Sequence, residues 1–144
     1  MRRAMGALME RMFKRSVDEL QSIVAETERF FSENAIDPSI RVAVDLSIEE
    51  LFVNMVQYNL GTDHDILMRL SQVDGGVEVC LTDYDVEPFD PSRAPSYDVD
   101  APLAEREPRG MGLYLVSKMV DSMHYEYRNR ESRVTFFKGA GAEP

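Results

Sequence analysis

Apolar positions along the first third of the chain recur every three or four residues. In FKRSVDELQSIVAETERFFSENAI, residues 13–36, Leu20, Ile23, Val24, Phe30 and Phe31 predict a helix. A short strand-like piece precedes it at Phe13, and Ser16 with Glu19 three residues on has the capping-box spacing that marks its start. A second helix follows in DPSIRVAVDLSIEELFVNMVQYNL, with Asp37 as cap, Pro38 at the first helical position, and Val44, Ile48, Leu51 and Met55 on one face, ending near Gly61. From residue 65 the period changes to two. DILMRLSQVDGGVEVCLTD alternates on either side of Asp74-Gly75-Gly76 and predicts a β-hairpin whose second strand carries Val77, Val79, Leu81 and Asp83 on one face. The next stretch, YDVEPFDPSRAPSYDVDAPLAEREPRG, holds five prolines and no period, so it reads as a long connection of the kind that forms lids. A helix from Leu113 to about Met123 and two strands, HYEYRNR and SRVTFFK, joined through Asn129 to Ser132, complete the chain. The order βααββ, lid, αββ predicts an α+β two-layer sandwich: a mixed, mainly antiparallel sheet with helices on one face.

Size and charge narrow the partners. The 144 residues make one ordinary domain, read as 13–144 with residues 1–12 as an N-terminal extension. A formal net charge of −10 disfavours wrapping a phosphate backbone, so nucleic acid is excluded and a protein or small ligand is expected. Arg2, Arg3, Arg11, Lys14 and Arg15 crowd the N-terminus, but no long apolar run follows, which argues against membrane contact. The lone Cys80 lies in an alternating apolar stretch where a buried reduced thiol is ordinary. A cytoplasmic, disulfide-free protein is the expectation.

Chemistry concentrates in three places. Glu50 and Asn54 are four apart in the second helix and share a face, with Tyr58 one turn on. An exposed polar stripe would read the same way. Asp83 continues an apolar strand face, where a carboxylate is costly unless a donor meets it. In RGMGLYLVSKMVD, residues 109–121, Gly110 and Gly112 stand at a helix start where capping residues are usual. Free N–H groups there suit a phosphate, although a Gly-x-Gly before a helix is more often a tight turn. A nucleotide site needs an oxygen ligand for Mg²⁺, a base near the terminal phosphate, a group reading the adenine and backbone donors for the phosphates. Asn54, Glu50, Asp83 and the Gly110–Gly112 turn are candidates for these in that order.

The order Glu-x-x-x-Asn on a helix, Asp at a strand end before PFDP, a long connection and Gly-x-Gly-Leu opening a helix resembles the Bergerat-fold ATPases, the superfamily of gyrase, heat-shock chaperones, MutL and histidine kinases. Within it, EPFDP, DVDAPLAER and GMGLYLV are most similar to the anti-sigma factor serine/threonine kinases of bacterial partner switching, over about Phe13 to Lys138. The resemblance implies ATP and Mg²⁺ as ligands, Asn54 holding Mg²⁺, Glu50 as catalytic base, Asp83 reading adenine, and Gly110, Met111, Gly112 and Leu113 at the phosphates. It further implies an anti-sigma factor antagonist as phosphoacceptor, a sigma factor as a second partner, and a homodimer. The family usually has Gly two residues after the adenine-reading Asp. Here Asp85 stands there, adding a charge and a β-carbon expected to weaken nucleotide binding; Asp85 is also the alternative reader, although strand phase favours Asp83. Two other readings are a nucleotide-poor module of the same fold that switches partners by affinity alone, and an orphan histidine-kinase catalytic domain. The last is disfavoured because no His precedes His64.

Overall fold

A computed structural model describes residues 5–59, 61–88 and 108–140. Five strands, β1 (Met5–Phe13), β2 (Ile66–Val73), β3 (Gly76–Tyr84), β4 (Ser122–Arg128) and β5 (Glu131–Lys138), form one sheet in the order β1-β2-β3-β5-β4. Every neighbouring pair is antiparallel, so the sheet expected to be mixed has no parallel pair among the described residues. Three helices, α1 (Leu20–Glu33), α2 (Arg41–Tyr58) and α3 (Pro108–Met119), supply the second layer. Of the connection predicted as a lid, residues 84–110, positions 89–107 lie outside the described residues, while Tyr84 ends β3 and 108–110 open α3.

Local chemistry explains most boundaries. Asp74 and Gly75 at the β2–β3 turn have φ of 49° and 78°, the left-handed pair that matches strand twist in a two-residue hairpin. Asn129 (φ 54°) and Arg130 (φ 63°) repeat this geometry between β4 and β5. Asp37 Oδ1 accepts from Ser39 N–H at 2.9 Å, and Pro38 opens the 3₁₀ turn that runs into α2. Ser16 caps a 3₁₀ turn ahead of α1 by accepting from Asp18 N–H at 3.1 Å. Glu19, however, does not close the expected capping box on Ser16. It accepts from Lys14 N–H at 2.8 Å instead.

The layers share one core. Phe13, Ile66, Met68, Leu70, Val77, Val79, Leu81, Val134 and Phe136 on the inner sheet face meet Ile23, Phe30 and Phe31 of α1, Val44, Ile48, Leu51, Phe52 and Met55 of α2, and Leu113 and Val116 of α3. Fully burying each such side chain contributes roughly 1.5–3 kcal/mol. The other sheet face is wet, as β4 shows: Ser122, His124, Glu126 and Arg128 are exposed, while Met123, Tyr125 and Tyr127 are half-buried. Cys80 is half-buried rather than enclosed, with Sγ 3.9 Å from Thr82 Oγ1.

The N-terminus departs from expectation. Residues 5–12, read from sequence as part of an extension, make most of β1 and pair with β2 from Met5↔Val73 to Phe13↔Ile66. Arg11, one of the clustered basic residues, forms an ion pair with Glu26 of α1 and lies 4.9 Å from the Phe13 ring centroid. Charge masked the strand's alternation, because an edge strand needs only one apolar face.

Phe13 is 1 % exposed and Leu8 is 51 % exposed on the same strand. Phe13→Ala is therefore expected to cost about 3–5 kcal/mol and Leu8→Ala less than about 0.5 kcal/mol, measured by urea unfolding. Equal, small losses would remove β1 from the core.

Candidate functional site

Helix α2 carries the polar groups of the site. It packs on the sheet beside the other helices, burying Val44, Ser47, Ile48, Leu51, Phe52, Asn54 and Met55. Asn54 is thus buried rather than part of an exposed stripe, and Glu50, one turn earlier, is half-buried. Asn54 Oδ1 has no hydrogen-bond partner, a state it shares among the described residues with Asp45 Oδ1 and Ser47 Oγ. Of these three residues, Asn54 alone lines a cavity of about 10 Å³, room for about one water, formed with Leu51, Met55, Asn59, Glu87, Ser132 and Val134. A buried carbonyl oxygen without a donor is costly in a protein of native quality and fits a ligand that supplies positive charge. Among the described residues no group of three His, Cys, Asp or Glu side chains could hold a metal by itself. A cation here would rely on Asn54 and on oxygens of a bound molecule, as Mg²⁺ does in nucleotide sites.

Glu50 leans on α3. A Cβ built on Gly112 would overlap the Glu50 carboxylate, so the two helices meet here through the missing side chain. Burial chiefly, and the neighbouring Glu49 carboxylate secondarily, push the Glu50 carboxyl above its ordinary value. That shift makes it a better proton acceptor.

The helix starts earlier than the glycines suggest. α3 begins at Pro108, so Gly110 and Met111 fall within the first four positions, whose N–H groups have no intrahelical acceptor, while Gly112 is the fifth. Gly112, at the fifth position, is where α3 meets the Glu50 carboxylate. Leu113 is 2 % exposed and belongs to the core.

Asp83 occupies the position that strand phase indicates, with Val77, Val79, Leu81 and Asp83 all at 0 % exposure. The donors that a carboxylate on this face requires come from inside the protein. Arg15 forms an ion pair with Asp83 Oδ1, and Asn59 Nδ2 donates to Oδ2 at 2.6 Å. Arg15 also donates through Nη1 to Met55 O at 3.0 Å and through Nε to His64 O at 3.2 Å. Neither partner carries a local signal in the sequence: Arg15 is 68 residues away and Asn59 is 24.

Asp85 faces outward. Its φ is 59°, the left-handed conformation for which glycine is the usual residue, and its carboxylate accepts from Arg130 Nε at 2.8 Å. The Arg130 hydrogen bond and charge hold the Asp85 carboxyl below its ordinary value. Arg130 also donates to Glu87 Oε2 at 3.0 Å, and Val86 N–H donates to Arg130 O at 3.0 Å. The residue two after Asp83 is thus tied to the β4–β5 turn.

An antiparallel sheet backed by helices on one face, with a Glu and an Asn one turn apart on the central helix beside a glycine-bearing helix start, defines an ATPase-type sandwich. Residues 13–138 match the histidine kinase-like ATPase domain, and the chain belongs to that family. No curated protein matches the sequence. Among solved structures, the fold is similar to one described as the crystal structure of the RsbU and RsbW domains of Rv1364c from Mycobacterium tuberculosis, at 14 % identity and a TM-score of 0.67. The match covers 93 % of this chain and 32 % of that one, so this chain spans about a third of that protein's length. No helix among the described residues is long and apolar enough to cross a membrane.

The Glu50 environment predicts a stability effect. A carboxyl whose folded value is raised binds its proton more tightly folded than unfolded, so its penalty is absent below the ordinary 4.5 and complete above the folded value. Glu50→Gln is expected to raise the melting temperature at neutral pH and to lose that gain as pH falls towards the ordinary value. Identical melting at neutral pH would show that the carboxylate carries no such penalty.

Proposed function

We propose that this chain binds Mg·ATP and transfers the γ-phosphoryl group to a serine or threonine of an anti-sigma factor antagonist, releasing or retaining a sigma factor according to the antagonist's state. The observation that carries this reading is the Glu50–Asn54 pair: an amide oxygen buried without a donor, one turn from a carboxylate with raised proton affinity. Membership of the histidine kinase-like ATPase family and a fold shared with a chain containing an RsbW domain support it. A homodimer belongs to the same proposal.

Each residue has a role in this reading. Asn54 would hold Mg²⁺, which when bound neutralises phosphate charge. Glu50 accepts the proton of the attacking hydroxyl as that oxygen bonds to the γ-phosphorus and the bond from γ-phosphorus to the β–γ bridging oxygen breaks, leaving ADP. Gly110 and Met111 N–H groups at the start of α3 face phosphate charge, aided by the helix dipole. The base end lies at Asn59 and Asp83. Glu50 prefers hydroxyl activation to a role in histidine phosphorylation, which keeps the histidine-kinase reading behind.

A second reading, a nucleotide-poor module that switches protein partners by affinity, is favoured by one observation. Asp83 is already satisfied by Arg15 and Asn59. Calorimetry with Mg·ATP separates the two.

Asn54→Ala is expected to abolish the Mg²⁺-dependent part of ATP binding, while Glu50→Gln keeps binding and loses phosphotransfer by about 10²-fold or more. Full transfer activity in Glu50→Gln would take that residue out of the mechanism.

Gly112→Ala separates packing from chemistry. The added methyl displaces a flexible carboxylate rather than backbone, and alanine favours the helix by about 1 kcal/mol, so stability should stay within about 1 kcal/mol of the parent. Phosphotransfer should fall about tenfold or more as Glu50 moves. A drop in stability without loss of transfer would refute this placement of Glu50.

A further inference from the structure

Asp83, the carboxylate at the base end of the proposed site, is 0 % exposed and is engaged at both oxygens by side chains of this chain. Arg15 Nη2 meets Oδ1, while Oδ2 accepts from Asn59 Nδ2 at 2.6 Å and from Arg15 Nη1 at 3.4 Å. Of the roughly four in-plane acceptor positions of a carboxylate, these donors fill most, and burial encloses the remainder. The amino group of adenine donates an N–H to the same oxygens. It therefore competes with the donors already there. Asn59 is neutral, whereas the guanidinium is charged, and a charge-assisted hydrogen bond is about twice as strong as a neutral one. Arg15 is the stronger rival. Its seat is reinforced from beyond the carboxylate, since Nη1 also donates to Met55 O at 3.0 Å and Nε to His64 O at 3.2 Å. Its side chain is still 10 % exposed, so the guanidinium has water to move into when it leaves.

We propose that Arg15 is an internal competitor of the nucleotide base: while it holds Asp83 the base-reading carboxylate is closed, and ATP binds the fraction of molecules in which this pair has opened. This rests on the proposed nucleotide site with Asp83 meeting adenine, and names the contact that regulates it. Apparent affinity is the intrinsic affinity reduced by the open fraction. The site therefore fills only at nucleotide levels above those an unpaired Asp83 would need. Arg15 lies between the end of β1 at Phe13 and the 3₁₀ turn that starts at Val17. The segment after the edge strand thereby sets the threshold of a site built on α2 and β3.

The test compares Mg·ATP with the Mg²⁺ complex of purine riboside triphosphate, which carries hydrogen in place of the amino group, by calorimetry on the full chain. Arg15→Gln removes the charge and is expected to tighten ATP by about tenfold, the gain of one hydrogen bond to a charged group, while changing the amino-free analogue little. The preference for ATP should therefore rise. The melting temperature of Arg15→Gln should fall, because Asp83 loses its charged donor, and ATP should restore more of it than the analogue does. A preference that stays the same or falls in a chain that binds ATP, or equal restoration by both nucleotides, makes Arg15 a support of Asp83 and overturns the inference with the nucleotide site intact. Should Arg15→Gln not fold, Arg15→Lys decides. It keeps the charge but loses the two-pronged grip, so the preference should rise by a smaller factor, and an unchanged preference overturns the inference. If neither the parent nor the variant binds either nucleotide, the proposed nucleotide site falls and this inference falls with it.

Discussion

A carboxylate buried on the apolar face of a central strand constrains everything around it. Asp83 continues the row of Val77, Val79 and Leu81 into the interior, and an ionised carboxylate there is tolerable only with strong, well-directed donors. Those donors come from the segment after β1 and from the end of α2. Arg15 also caps Met55 O, at the negative pole of α2, where a cation is favoured by the helix dipole. One guanidinium thereby satisfies a carboxylate and a helix end at once. The positions of β1, α2 and the chain entering β2 are coupled through it.

From that anchor α2 runs back across the sheet, carrying Asn59, Asn54 and Glu50 at successive levels. One face of the helix is buried, so Asn54 and Glu50 sit on a scaffold held by Leu51, Phe52 and Met55 rather than on a loop. The cost of these polar groups is visible on it. Asn54 Oδ1 lacks a partner, and Glu50 is held where its charged form is disfavoured. Both features lower stability and neither is needed to build the fold, which is the pattern expected of residues kept for a ligand.

Features governed by neighbours in sequence were legible. The hairpin at Asp74-Gly75, the Asp37–Pro38 entry to α2, and the burial of Asp83 with its strand face all follow from spacing and turn chemistry. Features governed by distant partners were not. Nothing near Arg15 shows that it will meet Asp83, and β1 was obscured because Glu10 and Arg11 interrupt its apolar positions while pairing with Arg69 and Glu26. The start of α3 was misplaced for a different reason. Glycine pairs signal a turn when read locally, whereas Gly112 is required by the approach of another helix's carboxylate.

The departure at Asp85 shows how a lost glycine can be absorbed. The backbone keeps the left-handed conformation a glycine would take, and aspartate tolerates it better than most side chains. Its side chain then finds Arg130, itself in a left-handed turn, while Arg130 O receives Val86 N–H and Tyr127 Oη donates to Val86 O at 2.7 Å. The strand end is thus clamped to the β4–β5 hairpin, and of these contacts the Asp85–Arg130 bond is the one that a glycine could not make. The extra charge expected to repel an anionic ligand is turned outward and paired with a cation, where solvent screens it further.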